Sequence, residues 1–318
     1  MSESQNIGPI FMLSLDTELF WGGARDVQSK ALGPIINDPT KGRGSINVLL
    51  SLCKKYNIPV TWAMVGHLFL DHCQKEDGIP HPEMPRFQEN WYSFDPCTNI
   101  KLDPLFYGKD IVETIMTNSV KHEIGYHTFS HVPFSECSRI VARAEISRGI
   151  EAARELGITL ESFVFPYNLI GHVDVLAETG FKIYRGQDLG AITVNNSAVP
   201  RNKRIKNRIF PPPSEPRWIN GIWEIASSTI ALDKQLHLPL AARSKLGIRQ
   251  AIRSKSIFHI CMHPHDLLYK PFLAIELDKT LAFVDKMRQH GQLQALTMGG
   301  LAARLKKPGE FSNEVNKS

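Results

Sequence analysis

Short apolar runs alternate along the chain with segments whose apolar residues recur at helical spacing. The apolar runs are typical of buried strands and cover 9–15, 58–66, 122–126, 161–167 and 256–263. The amphipathic segments predict helices over 45–56, 138–157, 174–180 and 274–291. Strands that alternate with helices predict an α/β fold with parallel strands inside and helices outside. In such folds, ligand sites lie at the carboxyl ends of the strands.

Two long stretches, 68–120 and 186–235, interrupt this alternation and show little periodicity. Long irregular loops in a compact domain are often binding loops. We therefore predict a single domain with long irregular loops over residues 9–305. The ends, 1–8 and 306–318, are expected to be flexible.

The composition is that of a globular protein, and it disfavours some partners. The 318 residues include 42% hydrophobic and 22% charged residues, and the net charge is +5. The chain has no long basic block of the kind that would indicate a nucleic-acid partner. We find no export signal and no apolar run of membrane length, so we expect a cytoplasmic protein without a transmembrane segment. A basic cluster at 201–208 is either a solvated loop or a contact for an anionic substrate group.

The five cysteines are widely separated, and no two of them form a CxxC pair. They are Cys53, Cys73, Cys97, Cys137 and Cys261. Such a pattern disfavours a disulfide framework and a structural zinc knot, and it suits a reducing compartment.

The segment "KHEIGYHTFSH" (121–131) is the strongest candidate for chemistry. On a helical turn, His127 and His131 would lie on one side, with Cβ atoms about 5–6 Å apart, and could bind one ion. Asp16 and Glu18 follow the first predicted strand and could add a carboxylate. A set of two histidines and a carboxylate leaves positions open for water and substrate. The plainer alternative is that the histidines pack or lie on the surface and the acidic groups cap a helix.

Four motifs occur in a fixed order: "SLDTE", "HEIGYHTFSH", "FVFPYN" and "MHPHD". Together they resemble the polysaccharide deacetylase (NodB-homology) family, carbohydrate esterase family 4. The resemblance extends over about residues 9–300. It implies a distorted (β/α) barrel that uses a divalent metal to remove N-acetyl groups from amino sugars.

The resemblance implies roles for individual residues. His127 and His131 match the metal-binding histidines, while His122 is expected to pack or orient. The first family motif usually reads F-D-D, with a base followed by a metal ligand. Here Asp16 is followed by Thr17, and Glu18 comes one place later. Either Asp16 is the base and Glu18 binds metal, or Asp16 itself binds the metal.

The third motif departs from the family pattern, and the last motif offers two candidate histidines. Val164 occupies the position of the family arginine that pairs with the base. Arg185, in the next predicted strand, is the candidate replacement, although it could be an ordinary surface arginine. In the last motif, His263 is the first candidate for the general acid and His265 the second.

The resemblance implies hydrolysis by metal-activated water, with zinc as the expected divalent metal. A carboxylate would take the proton and a histidinium would protonate the leaving nitrogen, with a backbone N–H near Tyr167 beside the oxyanion. The expected partner is a carbohydrate, in particular a nucleotide- or lipid-linked amino sugar of surface-polysaccharide biosynthesis whose phosphates could meet the basic cluster.

Two alternatives remain open. One is a related C–N amide hydrolase or deformylase. The other is a catalytically inactive carbohydrate-binding pseudoenzyme, which the residues at Thr17 and Val164 would favour.

Overall fold

Strands and helices alternate in the computed structural model, which describes residues 7–23, 38–88, 91–190, 193–194, 197–198, 200–232 and 238–308. The strands are β1 Ile10–Thr17, β2 Thr61–Met64, β3 Lys75–Glu76, β4 Ile79–Pro80, β5 Glu123–Tyr126, β6 Ser162–Val164, β7 Ile183–Gly186, β8 Thr193–Val194, β9 Ser197–Ala198, β10 Arg217–Ile219, β11 Ile222–Ala226, β12 Thr229–Ile230, β13 Ile257–Met262 and β14 Gln294–Ala295. The α-helices are α1 Pro39–Tyr56, α2 Lys109–Met116, α3 Arg139–Glu155, α4 Val173–Glu178, α5 Arg201–Ile209, α6 Leu240–Ser254, α7 Asp266–Tyr269, α8 Phe272–Gln289 and α9 Met298–Ala302.

Ten strands form one sheet in the order β10-β11-β7-β6-β5-β2-β1-β13-β12, and β14 pairs with β1. The pairs are parallel except for β10 with β11. The sheet curls with its helices into a half-barrel, which confirms the predicted distorted (β/α) barrel in a single domain. The parallel arrangement brings the carboxyl ends of distant segments to one rim.

Alternate side chains of β1 pack into two separate apolar clusters. Positions 11, 13 and 15 belong to the larger cluster, which includes the helices α1, α3 and α8. Positions 10 and 12 belong to a smaller cluster that contains residues of α9. Because side chains alternate along a strand, Ser14 and Asp16 continue the face of the smaller cluster. That face is therefore apolar at the amino ends of the strands and polar at the rim.

The predicted strands and helices are present, with shifted ends, but some elements were not predicted. The interruption at 186–235 contains the strands β10, β11 and β12, and it also contains α5. The basic cluster at 201–208 therefore lies on a helix and not on a loop, so the predicted loop is wrong. The helices α2 and α6 were missed as well.

The predicted ends of the chain lie mostly outside the described residues, so the boundaries at 1–8 and 306–318 stay predictions. No helix in the described part of the chain is both long enough and apolar enough to cross a membrane.

Candidate active site

Glu18, His127 and His131 meet at the carboxyl rim of the sheet. Glu18 Oε1 lies 3.1 Å from Nε2 of each histidine. All three side chains are buried. Ligand atoms about 2.0–2.2 Å from one tetrahedral ion are about 3.3–3.6 Å apart, so this spacing is close to that of a shared cation. The predicted set of two histidines and a carboxylate is thus brought together.

Hydrogen bonding fixes the tautomer of His127. Its Nδ1–H donates to the backbone carbonyl of Val164 over 2.8 Å. Its Nε2 then presents a lone pair to the Glu18 carboxylate, which also offers only lone pairs when it is ionised. A proton or a cation must lie between these two atoms. Metal-binding histidines commonly donate their other N–H to a carbonyl, so the donor set fits a divalent ion.

The segment that carries the two histidines is an irregular loop, so the predicted helical turn is wrong. Thr128 and His131 have φ angles of 59° and 65°, a left-handed region that such residues rarely adopt. The imidazole rings are nevertheless only 4.9 Å apart. The loop is held by Ser130, whose N–H and Oγ–H donate to the buried Glu145 over 2.8 and 2.7 Å. Tertiary contacts, not helical spacing, therefore bring the histidines together.

Arg185 holds Asp16 through two parallel hydrogen bonds. The guanidinium donates to the two carboxylate oxygens over 2.5 and 2.6 Å. It also donates to Ser14 Oγ at 3.1 Å and to Asn168 Oδ1 at 3.3 Å. Burial alone would raise the pKa of Asp16, but the charge and hydrogen bonds of Arg185 hold that pKa below its ordinary value. Asp16 is therefore an ionised carboxylate with a fixed orientation.

The register of β6 and β7 explains how Arg185 can stand in for the missing arginine. Val164 and Arg185 are directly paired on these neighbouring parallel strands. Paired residues on parallel strands point to the same face of the sheet. Arg185 therefore reaches the Asp16 carboxylate from the position on β7 that is directly beside position 164 on β6. The predicted contact is present, whereas its catalytic role stays a prediction.

His263 follows β13 and faces both carboxylates. Its Nε2 lies 3.5 Å from Glu18 Oε1 and 3.9 Å from Asp16 Oδ2. Burial alone would lower the pKa of His263, but Glu18 and Asp266 hold it well above its ordinary value. His265 stacks on His263 with ring centroids 4.9 Å apart, and burial together with the charge of His263 lowers the pKa of His265 to about 4. His263 is thus the better placed proton donor.

Glu18 has a tight steric environment. A Cβ at Gly22 would lie 2.1 Å from Glu18 Oε2, so only glycine leaves room for the carboxylate in this position. Burial alone would raise the pKa of Glu18, but His131 and His263 hold it well below its ordinary value. Glu18 therefore faces the histidines as an anion.

Sequence reasoning missed the side chains that support this site. Ser14 and Asn168 accept hydrogen bonds from Arg185, and Glu145 anchors the histidine loop. Asp266 accepts from the backbone N–H of His263 over 3.0 Å. Ser14, Asn168 and Asp266 had a signal, because they stand within the motifs "SLDTE", "FVFPYN" and "MHPHD", whereas Glu145 had none.

Residues 36–183 match the model of the family described as polysaccharide deacetylase. The match contains the histidine loop and the third motif. This similarity covers just under half of the chain, and it relates that part of the chain to the polysaccharide deacetylases. Asp16, Glu18 and His263 lie outside the matched residues but reach the same rim of the sheet. The similarity supports a carbohydrate deacetylase.

Solved structures share the fold at low sequence identity. A probable polysaccharide deacetylase from Pseudomonas aeruginosa has a TM-score of 0.56 and 12% identity, covering 93% of this chain and 91% of its own. A Mycobacterium smegmatis structure, provisionally described as a polysaccharide deacetylase, has a TM-score of 0.55 and 14% identity over 95% of both chains. The 4-alpha-glucanotransferase of Thermococcus litoralis has a TM-score of 0.53 and 11% identity, over 94% of this chain and 41% of its own. No curated protein matches the chain.

Proposed function

We propose that this protein is a metal-dependent hydrolase that removes an N-acetyl group from an amino sugar. The observation that carries the proposal is the convergence of two kinds of group at one rim. Glu18, His127 and His131 form a donor set for one ion. Directly beside it stand the Asp16–Arg185 pair and His263, which are suited to proton transfer.

The donor set favours Glu18 as the carboxylate that would hold the metal. Glu18 points at both histidines, whereas both oxygens of Asp16 are engaged by Arg185. Of the two assignments that the sequence left open, we infer that Asp16 is the base. Zinc suits two imidazoles and a carboxylate. When bound, such an ion polarises a carbonyl and makes water more acidic.

The chain's own residues supply the remaining chemistry. Asp16 accepts the proton of the attacking water, and Arg185 keeps that carboxylate ionised and oriented. His263 donates a proton to the departing nitrogen, without which an amide would expel a poor leaving group. Tyr167 is half-exposed, and its ring lies 4.6 Å from the ring of His131, one of the candidate metal ligands. Its N–H remains our predicted donor to the oxyanion.

The basic helix α5 supports a phosphate-linked sugar as the substrate. Arg201, Lys203 and Lys206 are exposed on this helix. Asn207 donates from its side chain to the carbonyl of Leu189 over 2.7 Å, which ties α5 to the segment just after β7. Since β7 carries Arg185, the cations start near the rim that holds the candidate site. We infer a nucleotide- or lipid-linked amino sugar, as expected of a cytoplasmic enzyme.

The test combines metal analysis with product analysis. We expect purified protein to bind a divalent metal and to release acetate from nucleotide-linked N-acetyl amino sugars. Asp16→Asn should keep the metal and lose the activity, whereas Glu18→Ala should lose both. Loss of metal from Asp16→Asn would instead make Asp16 the metal carboxylate.

Substrate comparison separates the alternatives. If Lys203→Glu/Lys206→Glu raises KM for the nucleotide-linked sugar but not for the free sugar, the phosphate contact is supported. Equal effects on both would contradict it. Release of formate without acetate would identify the related C–N hydrolase. A protein that binds metal but hydrolyses no substrate would be the inactive carbohydrate-binding alternative. In that case, Asp16→Asn should bind carbohydrate as well as the wild type does.

A further inference from the structure

A second group of potential ligands lies outside the candidate active site. It consists of His67, Cys73, His81 and Asp95, each of which offers one ligand atom within 4.8 Å of all the others. His67 belongs to the 3₁₀ helix Gly66–Phe69 that follows β2. The other three belong to the long stretch between that helix and α2, where the described regular structure is limited to the short β3–β4 hairpin. We call these four residues the loop cluster.

Asp95 is the centre of the loop cluster. Its Oδ2 lies 2.7 Å from His81 Nε2, 3.1 Å from His67 Nε2 and 3.7 Å from Cys73 Sγ. Tetrahedral ligands at zinc bond lengths of about 2.0–2.3 Å are separated by about 3.3–3.8 Å, so small shifts would seat one ion among the four atoms. His67, His81 and Asp95 are almost fully buried.

Neighbouring groups already engage the other polar atom of His67 and of Asp95. His67 Nδ1–H donates to the carbonyl of Phe106 over 2.9 Å, which leaves the lone pair on Nε2. Asp95 Oδ1 accepts from the N–H of Cys97 over 2.9 Å, which leaves Oδ2 for the centre. Such partners for the non-ligating atoms are typical of metal sites.

Tyr107 orients the sulfur in the same way. Its Oη accepts from the backbone N–H of Thr98 over 2.8 Å, so its own hydrogen is available to Cys73 Sγ at 3.2 Å. A hydroxyl that donates to sulfur favours the thiolate, which is the form that binds metal.

One atom in this centre has no partner in the described structure. His67 Nε2 is buried and forms no hydrogen bond, although Asp95 Oδ2 lies 3.1 Å away. A buried imidazole nitrogen without a partner is costly, because it has lost its contact with water. This nitrogen lies within 4.8 Å of the other three ligand atoms, so a cation bound among them would supply the missing partner.

We propose that the loop cluster is a second metal site, which binds zinc through His67 Nε2, Cys73 Sγ, His81 Nε2 and Asp95 Oδ2. Four protein ligands fill a tetrahedral shell and leave no position for substrate, so the role is structural. An open surface hollow lined by Cys73 and Cys97 gives the ion a path of entry.

We expect metal binding at the loop cluster to stabilise the candidate active site through the contacts of His67. The rings of His67 and Trp21 are 4.4 Å apart, and those of His67 and Phe129 are 5.5 Å apart. The backbone N–H of His67 also donates to the carbonyl of Phe129 over 2.9 Å. Phe129 lies between the two histidines of the active-site loop. An ion at the loop cluster would thus fix the irregular stretch against that loop.

The test separates the two sites by their ligands, because only the loop cluster contains sulfur. A variant with Glu18→Ala, His127→Ala and His131→Ala removes the active-site donors. We expect this variant to retain about one zinc per chain, which further substitution by Cys73→Ser abolishes. Cys97→Ser is the matched control, since Cys97 is near the cluster but not in it, and it should retain the metal. The proposal does not depend on the deacetylase activity.

Cobalt replacement gives a readout that can be taken first on the wild-type protein. Wild-type protein loaded with Co²⁺ should show a thiolate-to-cobalt charge-transfer band, which Cys73→Ser loses and Cys97→Ser keeps. Chelation should lower the Tm of the variant that lacks the active-site donors by about 5–15 °C. The proposal is overturned if the cobalt protein has no such band, or if intact mass shows a Cys73–Cys97 disulfide in place of bound metal.

Discussion

The rim site and the loop cluster gather similar ligands in different ways. At the rim, Glu18 follows β1, and His127 and His131 follow β5, two strands that are separated by β2 in the parallel sheet. In the loop cluster, the ligands come from an irregular stretch with little regular structure of its own. At the rim, the sheet places the loop and hydrogen bonds to Glu145 hold it, whereas a long irregular stretch gains more from a further cross-link.

The rim site and the loop cluster also differ in the number of donors and in the side chains beside them. The rim set has three donors, with the Asp16–Arg185 pair and His263 beside it for proton transfer. The loop cluster has four donors whose neighbours only orient them. An open shell suits catalysis and a closed shell suits structure. The difference predicts that loss of a metal donor at the rim removes activity and largely spares folding, whereas loss of a donor in the loop cluster does the reverse.

The largest effect on activity is expected from His127→Ala. Loss of one of three donors should release the metal and lower kcat/KM by about 10³-fold or more, about 4 kcal/mol of transition-state stabilisation. Steady-state acetate release and metal analysis measure the two effects together. His290→Ala is the control and should change neither, because His290 is an exposed residue at the C-terminal end of α8. Full activity in metal-free His127→Ala would contradict the rim assignment.

The sequence allowed the rim to be predicted because its residues follow strongly patterned strands. β1 and β13 are buried along their whole length and form nearly continuous apolar runs. The loop conformation could not be predicted, since Thr128 and His131 adopt left-handed angles that depend on tertiary contacts such as Ser130 with Glu145.

The loop cluster was missed for a related reason. Its ligands have no repeated spacing and no CxxC pair, so the sequence disfavoured a structural zinc site. Only the fold shows that Cys73 and Asp95 approach the histidine that follows β2. The helix α5 was missed because its residues are largely polar and make no apolar stripe that could signal a helix.

The next largest effect is expected from Arg185→Val. Removal of the guanidinium leaves Asp16 buried without its partner, which should lower kcat/KM by at least about 10²-fold and destabilise the fold by about 3–5 kcal/mol. The pKa of Asp16 is lowered by Arg185. Its loss should therefore move the acidic limb of the pH–rate profile to higher pH, because the base stays protonated over a wider range.

The strand register provides the matched rescue. Val164 and Arg185 are directly paired, so Val164→Arg/Arg185→Val moves the arginine back to the position that it has in the family. We expect this double variant to recover most of the lost activity and the original acidic limb. A double variant no better than Arg185→Val would show that the two positions do not present a side chain to the same carboxylate.

A smaller effect at the rim is expected from Gly22→Ala. The added methyl would collide with Glu18 Oε2, so the carboxylate must move away from the histidines. Metal affinity should fall by about 10–100-fold while the Tm changes little, and excess metal should restore the rate. Gly44→Ala is the control, because a Cβ there meets no atom within 4 Å. An unchanged metal affinity would mean that Glu18 does not bind the ion.

The smallest effect on activity is expected from Asp95→Asn, which should lower stability and largely spare activity. The amide keeps the size of the side chain but removes the charge that the metal and both histidines share. We expect the Tm to fall by about 5–15 °C, with kcat/KM at low temperature within about threefold of the wild type. Thermal unfolding and acetate release, measured on one preparation, check both. A fall in kcat/KM comparable to that of His127→Ala, with an unchanged Tm, would contradict a structural role. It would show that the loop cluster takes part in the reaction, because only such a cluster could change the rate without changing the stability of the fold.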